Sequence, residues 1–368
     1  MINPKKYFCL NGFVPFSIEG SGALYDYISY QYSYFRDAQR IDFPYQRLIA
    51  LQFFEKQDFI LDIFLKESNG YFAKSDKQFI WAIANNQLVL DGTIGLIEQQ
   101  KLLFNQKFNK MKANLICELI WRLRFMKHDI ILVHAACVSS ENSAYLIPAW
   151  KGIGKTTVCL KLVKSGYEYM SDDRIWLGAS GEIYAYPRYV VLKDSNAFYF
   201  PEFTTRFIKI KLCVRDFLNK IDLISGKRLI RYLINKLVSI PVQYHHIEDL
   251  YPTAKTRKQA QVAKVIYLTK NKNSKDVAIK NLSAKTVTSH IYGIDNAEWN
   301  ASLLSFAAAH DVLFPDGPQW SEDILNLIKK EKEVLSTALK NASCFELTLP
   351  IDKQLINWNQ LTNKISRL

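Results

Sequence analysis

A chain of 368 residues with 49% hydrophobic content has enough apolar material for a core and for two or three domains, which excludes wholesale disorder. The formal net charge of +13, with a pI near 9.2, favours anionic partners (nucleotide phosphates, acidic protein, nucleic acid or a membrane surface) and does not choose among them. No run of about 18 uncharged apolar residues offers a membrane span. The N-terminus carries no apolar leader-like core, and the six scattered cysteines form no CxxC pair, so a cytoplasmic chain with reduced thiols is expected.

In chain order, residues 1–108 read as a β-rich, aromatic N-terminal domain. In "ALYDYISYQYSYF", Tyr25, Tyr27, Tyr30, Tyr32 and Tyr34 nearly alternate, which predicts a strand with one aromatic face. Such a face stacks bases or, more commonly, packs against another layer. "FILDIFLKESNGYFAKSD" predicts two strands around a turn at Ser68-Asn69-Gly70, and "FIWAIANNQLVLDG" repeats the theme. The period then changes: Leu115, Ile116, Leu119, Ile120, Leu123 and Met126 predict a helix from about 110 to 127. "DIILVHAACVSS" reads as one buried strand and "NSAYLIPAW" as another. "KTTVCLKLVKSG" reads as a helix capped by Gly166, "YEYMSDD" as a short strand, and "RIWLGASGEIYAYP" as a hairpin turning at Ser180-Gly181. Residues 200–260 look irregular and basic. A strand at 263–271, a helix opening at "LSAKTVTSHIY", helices near 300–311 and 321–341, and a strand at 344–350 complete the chain. The expected division is 1–108, 109–300 and 301–368, the last packing as helices and a strand on the core.

The stretch "PAWKGIGKTT" sits between a predicted strand and a predicted helix. Glycines there let successive backbone N–H groups face one concavity at a helix N-terminus, where the helix dipole favours an anion. Gly152, Gly154, Lys155 and Thr156 match the demanding positions of a phosphate loop. Ala149 replaces the first glycine of the pattern and is tolerated if its φ is negative. The nucleotide-contacting stretch is therefore Ala149, Trp150, Lys151, Gly152, Ile153, Gly154, Lys155, Thr156 and Thr157. A kinase further needs a carboxylate for magnesium and one to take the acceptor proton. Asp172 and Asp173, at the end of the next strand, supply the pair. His134 in "ILVHAACV" is by itself more often a satisfied core residue than a functional one, and the other histidines have no metal spacing.

"LVHAACVSSENSAYLIPAWKGIGKTTVCLKLVKSGYEYMSDD" resembles the core of the HPr kinase/phosphorylase C-terminal domain in motif order and spacing. The loop is also similar to that of phosphoenolpyruvate carboxykinase, which shares the fold. The resemblance extends over about residues 110–295 and is closest to the divergent HPr-kinase-like proteins that include peptide-tailoring kinases, through "LHAA"-like, loop, "SDD" and "PRYVVLK" motifs. It implies a mixed α/β core with a phosphate loop, joined to the β-rich N-terminal domain. It implies ATP and Mg2+ as cofactors, with Lys155 on the β/γ-phosphates and Thr156 and Asp173 at the metal. Asp172, Asp173, His134 and Lys155 would be the catalytic group, and Arg188 and Lys193 would contact substrate. The arginine-bearing signature loop of HPr kinases is missing, which points the acceptor away from HPr.

The expected function is a Mg-dependent kinase that phosphorylates a Ser or Thr hydroxyl of a peptide or protein, with the basic charge favouring an acidic acceptor and the oligomeric state left open. The alternatives are a small-molecule (free amino acid) kinase and an inactive nucleotide- or peptide-binding module. Nucleic-acid binding has no recognised motif to support it.

Overall fold

The computed structural model describes all residues except 1–4, 38–47, 56–58, 60, 68, 193–198, 204–242, 275 and 352–355. Within the described residues the architecture is mixed α/β, with two large sheets and helices between and around them.

The N-terminal sheet has nine strands. They are β1 (Lys5–Leu10), β2 (Val14–Glu19), β3 (Arg36–Asp37), β4 (Ile49–Phe54), β5 (Ile63–Glu67), β6 (Gly70–Ser75), β7 (Gln78–Ile83), β8 (Asn86–Asp91) and β9 (Lys101–Asn105). Their order is β3-β1-β2-β4-β9-β8-β7-β6-β5. The two expected hairpins form, with Ile63 opposite Lys74 and Gln78 opposite Asp91.

The tyrosine-rich stretch corrects the sequence reading. Ala23–Gln31 is helix α1, not a strand. Leu24, Tyr25, Ile28 and, just past its end, Tyr32 are its buried apolar positions, a helical spacing that pins one face to the sheet. Tyr27 and Tyr30 lie off that stripe, half-buried and exposed, so the alternation of rings was not an alternation of burial.

Helix α2 (Lys110–Met126) matches the predicted span, and the Asn109 side chain caps it by accepting from the Met111 and Lys112 amides. The second sheet comprises β10 (Ile130–Val133), β11 (Ala135–Ser140), β12 (Ser143–Pro148), β13 (Glu168–Ser171), β14 (Ile175–Gly178) and β15 (Glu182–Tyr184). A separate pair, β16 (Val190–Leu192) and β17 (Gln243–His245), follows, and then β18 (Gln259–Asn271), β19 (Ala278–Asn281) and β20 (Ser343–Pro350). The order is β10-β14-β15-β18-β12-β11-β13, with β20 beside β18 and β19 beside β20. The predicted strand over 129–140 is thus two strands broken at His134. β10 pairs with β14, whereas β11 pairs with β12 and β13.

The helices of this half are α3 (Lys155–Lys164), α4 (Ile247–Leu250), α5 (Ala284–Asp295), α6 (Ala301–Leu313), α7 (Trp320–Ala338) and α8 (Trp358–Ser366). A π-helical turn, Asn296–Asn300, joins α5 to α6. One sheet face packs Val158, Leu162 and Ile365 of α3 and α8; the other packs Val287, Ile291 and Leu335 of α5 and α7. A third apolar cluster is continuous from Phe16 and Trp81 of the N-terminal sheet, through Trp121 of α2, to Phe306 and Trp320 of α6 and α7. This cluster fixes α2 between the two sheets, which matters because α2 carries Glu118 to the site described next.

Candidate functional site

The 149–154 loop links β12 to α3. Ala149 is fully buried, bridges to Leu268 of β18, and is not among the residues with positive φ. Its methyl group therefore needs no glycine. Gly152 and Gly154 do: their φ values of 82° and 128° lie where a Cβ is strained. Trp150 and Lys151 point outward from the loop, Trp150 with 43% exposure. The Lys270 amine donates to the Gly152 carbonyl at 3.2 Å.

Lys155 opens α3 yet is buried. Its Nζ lies 2.6 Å from His134 Nε2 and 3.2 Å from Asp173 Oδ1. His134 sits at the break between β10 and β11, and its backbone N–H donates to Asp295 Oδ1 at 3.1 Å. Burial pushes the His134 pKa down to about 4; Asp173 pulls it up and Lys155 pushes it down. A neutral imidazole next to an ammonium accepts through Nε2 and carries its proton on Nδ1, a tautomer assigned from the pairing. Buried Nδ1 has no partner.

The two aspartates part ways. Asp172 is buried, and its Oδ2 accepts from Thr156 Oγ1 at 3.2 Å while its Oδ1 is buried without a partner. Burial, with the Asp173 charge second, raises its pKa to about 7 against the Thr156 hydrogen bond and Lys155. Asp173 has a half-exposed side chain. Burial opposes its ionisation, but Lys155, His134 and Arg188 outweigh that and hold it well below the usual carboxylate range. Thr156 thus pairs with Asp172, not with the Asp173 that the family resemblance grouped with it.

Behind Asp173 stand two arginines that share one acid. Arg174 Nε lies 3.5 Å from Asp173 Oδ2, and Arg174 also pairs with Glu118 Oε2. Arg188 Nη1 donates to Glu118 Oε1 at 2.6 Å. Burial, with Arg188 second, lowers the Arg174 pKa to about 10. Gln31 of α1, its amide oriented by its neighbours, accepts from Arg188 Nε at 3.0 Å and Nη2 at 2.8 Å. Around Arg188 lie the rings of Tyr186 and Tyr189, and Tyr27 of α1 bonds to the Tyr189 hydroxyl. The N-terminal tyrosine helix therefore packs against the site through Arg188.

Trp299 of the π-helical turn closes the floor, its ring 5.0 Å from the Arg174 guanidinium and edge-on to His134 at 5.7 Å.

The structure thus brings together Lys155, Thr156, His134, Asp172, Asp173 and Arg188. Thr157 is buried within α3. Lys193 and the basic residues 206–236 lie outside the described residues. Sequence reasoning missed Arg174, Glu118, Asp295 and Trp299. Arg174 follows the Asp pair directly and so left a signal; Glu118, spaced four residues from both Asn114 and Arg122, reads as an ordinary polar helical position, and Asp295 and Trp299 left no signal. A hollow of about 710 Å3, lined by Ser139, Lys164, Tyr167 and Arg257, lies at the opposite end of α3 from the glycine loop.

Among the described residues, no group of three or more His, Cys, Asp or Glu side chains converges to hold a metal, and no helix is long and apolar enough to cross a membrane. No family model matches the chain, and no curated protein does. Among solved structures, the chain is similar to an HPr(Ser) kinase/phosphatase from Coxiella burnetii. That alignment covers 64% of this chain and 97% of the other at 11% identity, with a TM-score of 0.29, which is too distant to carry an argument.

Proposed function

We propose that this chain is a magnesium-dependent kinase that transfers the γ-phosphoryl group of ATP to a Ser or Thr hydroxyl of a peptide or protein. The observation that carries this reading is the convergence of Lys155, at the first position of a helix that follows a glycine loop, with a buried Asp172 and a half-exposed Asp173. Phosphoryl transfer is mainly positioning and charge stabilisation, and these groups supply both.

The donor set fits magnesium. Asp172 has one buried oxygen without a partner, its other oxygen is bonded to the Thr156 hydroxyl, and hard oxygen ligands suit that ion. Thr156 and Asp172 would hold it; when bound, it neutralises charge on the β- and γ-phosphates. The loop backbone around Gly152 and Gly154 would hold the phosphates. Lys155 would exchange His134 and Asp173 for phosphate oxygens. Asp173, relieved of that cation, would gain basicity and accept the acceptor's hydroxyl proton. The hydroxyl oxygen bonds to the γ-phosphorus as the bridging P–O bond to ADP breaks. Arg174 and Arg188 stand beside Asp173 with guanidinium groups suited to anionic oxygens.

The test pairs binding with transfer. Magnesium–ATP should raise the melting temperature of the wild-type protein, and radiolabelled ATP should label Ser or Thr residues in a peptide library. Lys155→Ala should abolish both, and Asp173→Asn only the labelling. Binding without any labelling would favour a nucleotide-binding module, and labelling of free amino acids alone would favour a small-molecule kinase.

A further inference from the structure

We propose that Asp295 is the positioning residue of the site: it holds the strand break that turns His134 onto Lys155. Nothing in the sequence marks it, and it touches none of the groups assigned to nucleotide or acceptor.

A continuous strand over 130–140 would spend the amide of residue 134 on a sheet ladder. Instead β10 and β11 pair with different neighbours, and residue 134 belongs to neither strand. Its N–H is buried and requires an acceptor. Asp295 Oδ1 supplies it at 3.1 Å, from the last residue of α5. With the backbone held there, the imidazole faces inward, so that Nε2 meets the Lys155 amine at 2.6 Å.

The helix is shaped to make this contact. A π-helical turn follows Asp295 immediately, and such turns insert an extra residue that re-aims the side chains around them. Its Trp299 lies edge-on to His134 at 5.7 Å, and its Asn300 Oδ1 accepts from Arg122 Nη2 at 2.9 Å. Arg122 is in turn held by Glu331 of α7 through Nε and Nη2, at 2.7 and 2.6 Å. The C-terminal helices therefore reach Lys155 by way of Asp295 and His134. This chain of contacts rests on the proposed kinase reading only for its functional meaning, because every member is a side chain or amide of the protein itself.

The test is accordingly ligand-free. Nitrogen-15 spectra of the histidine side chains, with the His134 signal assigned by its loss in His134→Gln, report which ring nitrogen bears the proton. Wild type should show a single neutral form with the proton on Nδ1, and so should Asp295→Asn, which keeps an oxygen to accept the amide. Asp295→Ala should shift His134 toward the mixture of tautomers of an unheld imidazole. If Asp295→Ala keeps the wild-type His134 signal and melts cooperatively, the proposal is wrong. If Asp295→Ala fails to fold, an altered His134 signal in the folded Asp295→Asn protein would overturn it. Loss of nucleotide binding in every protein, wild type included, with the His134 pattern as expected, would count against the kinase reading alone.

Discussion

The Lys155 amine lies 3.2 Å from the Asp173 carboxylate, so the cation expected to hold phosphate is engaged by the acid expected to take a proton. In the proposed reading, each group would mask the other until a nucleotide competed for the lysine. Lys155→Met should therefore abolish magnesium–ATP stabilisation in a thermal melt, where wild type should gain about 2.7 kcal/mol at a hundredfold excess of ligand over Kd. An unchanged shift in the variant would remove Lys155 from the phosphate site.

Asp172 and His134 make opposite pH signatures. Burial raises the Asp172 pKa to about 7 in the fold, against 3.8 for an ordinary aspartate, so its contribution to stability falls as pH rises from about 4 to 7. His134 titrates near 4 in the fold, against 6.5, so its contribution falls as pH drops from 6.5 to about 4. Over the shared window the two slopes cancel. Asp172→Asn should expose the histidine slope, with stability declining on acidification, and His134→Gln should expose the opposite one. The limit for each is on the order of 3–4 kcal/mol. Urea titrations at pH 4.5, 6 and 8 would show this; parallel pH profiles in all three proteins would contradict it.

If Asp172 holds magnesium as proposed, it must be ionised to do so. The ion's contribution to nucleotide affinity should therefore rise with pH, by up to about tenfold per unit below pH 7, and flatten above it. Calorimetric titration of ATP with and without magnesium at pH 6, 7 and 8 measures the difference. In Asp172→Asn the difference should be small at every pH.

The loop itself makes a contrast. Ala149 has no positive φ and is fully buried against the sheet, so Ala149→Gly should leave ATP affinity within twofold and lower stability by about 0.5–1 kcal/mol. Gly152→Ala forces a Cβ into the left-handed region at φ 82°, for about 1–2 kcal/mol, and should weaken ATP binding by more than fivefold. Equal effects of the two changes on affinity would refute this account of the loop.

Arg122 and Glu331 form a buried, two-pronged ion pair away from solvent. Breaking it with Arg122→Ala strands a carboxylate and should destabilise by about 3–5 kcal/mol, while Arg122→Met with Glu331→Leu should recover most of that loss. Urea denaturation of the single and double variants decides between the two outcomes.

Wherever local rules acted alone, the sequence was informative. The hairpins at 63–75 and 78–91, helix α2, and the strand–loop–helix passage from β12 to α3 follow from period, turn residues and glycine placement. Those signals are written within a dozen residues. The tyrosine stretch misled because residue type and burial diverged: rings repeated every two or three positions, but the sheet buried Leu24, Tyr25, Ile28 and Tyr32 on a helical stripe.

What only the tertiary structure decided is which partner each charge found. Thr156 pairs with Asp172 and Lys155 with Asp173, although the acids are adjacent in the chain. Glu118 gathers Arg174 and Arg188 only because an aromatic core clamps α2 between two sheets. His134 leaves its strand because an acid of a distant helix takes its amide. The strength of a charge pair depends on separation and burial, which are properties of packed elements and not of sequence spacing. A single chain read alone therefore specifies its elements and its chemistry-bearing residue types, while the pairing of those residues is settled by the fold.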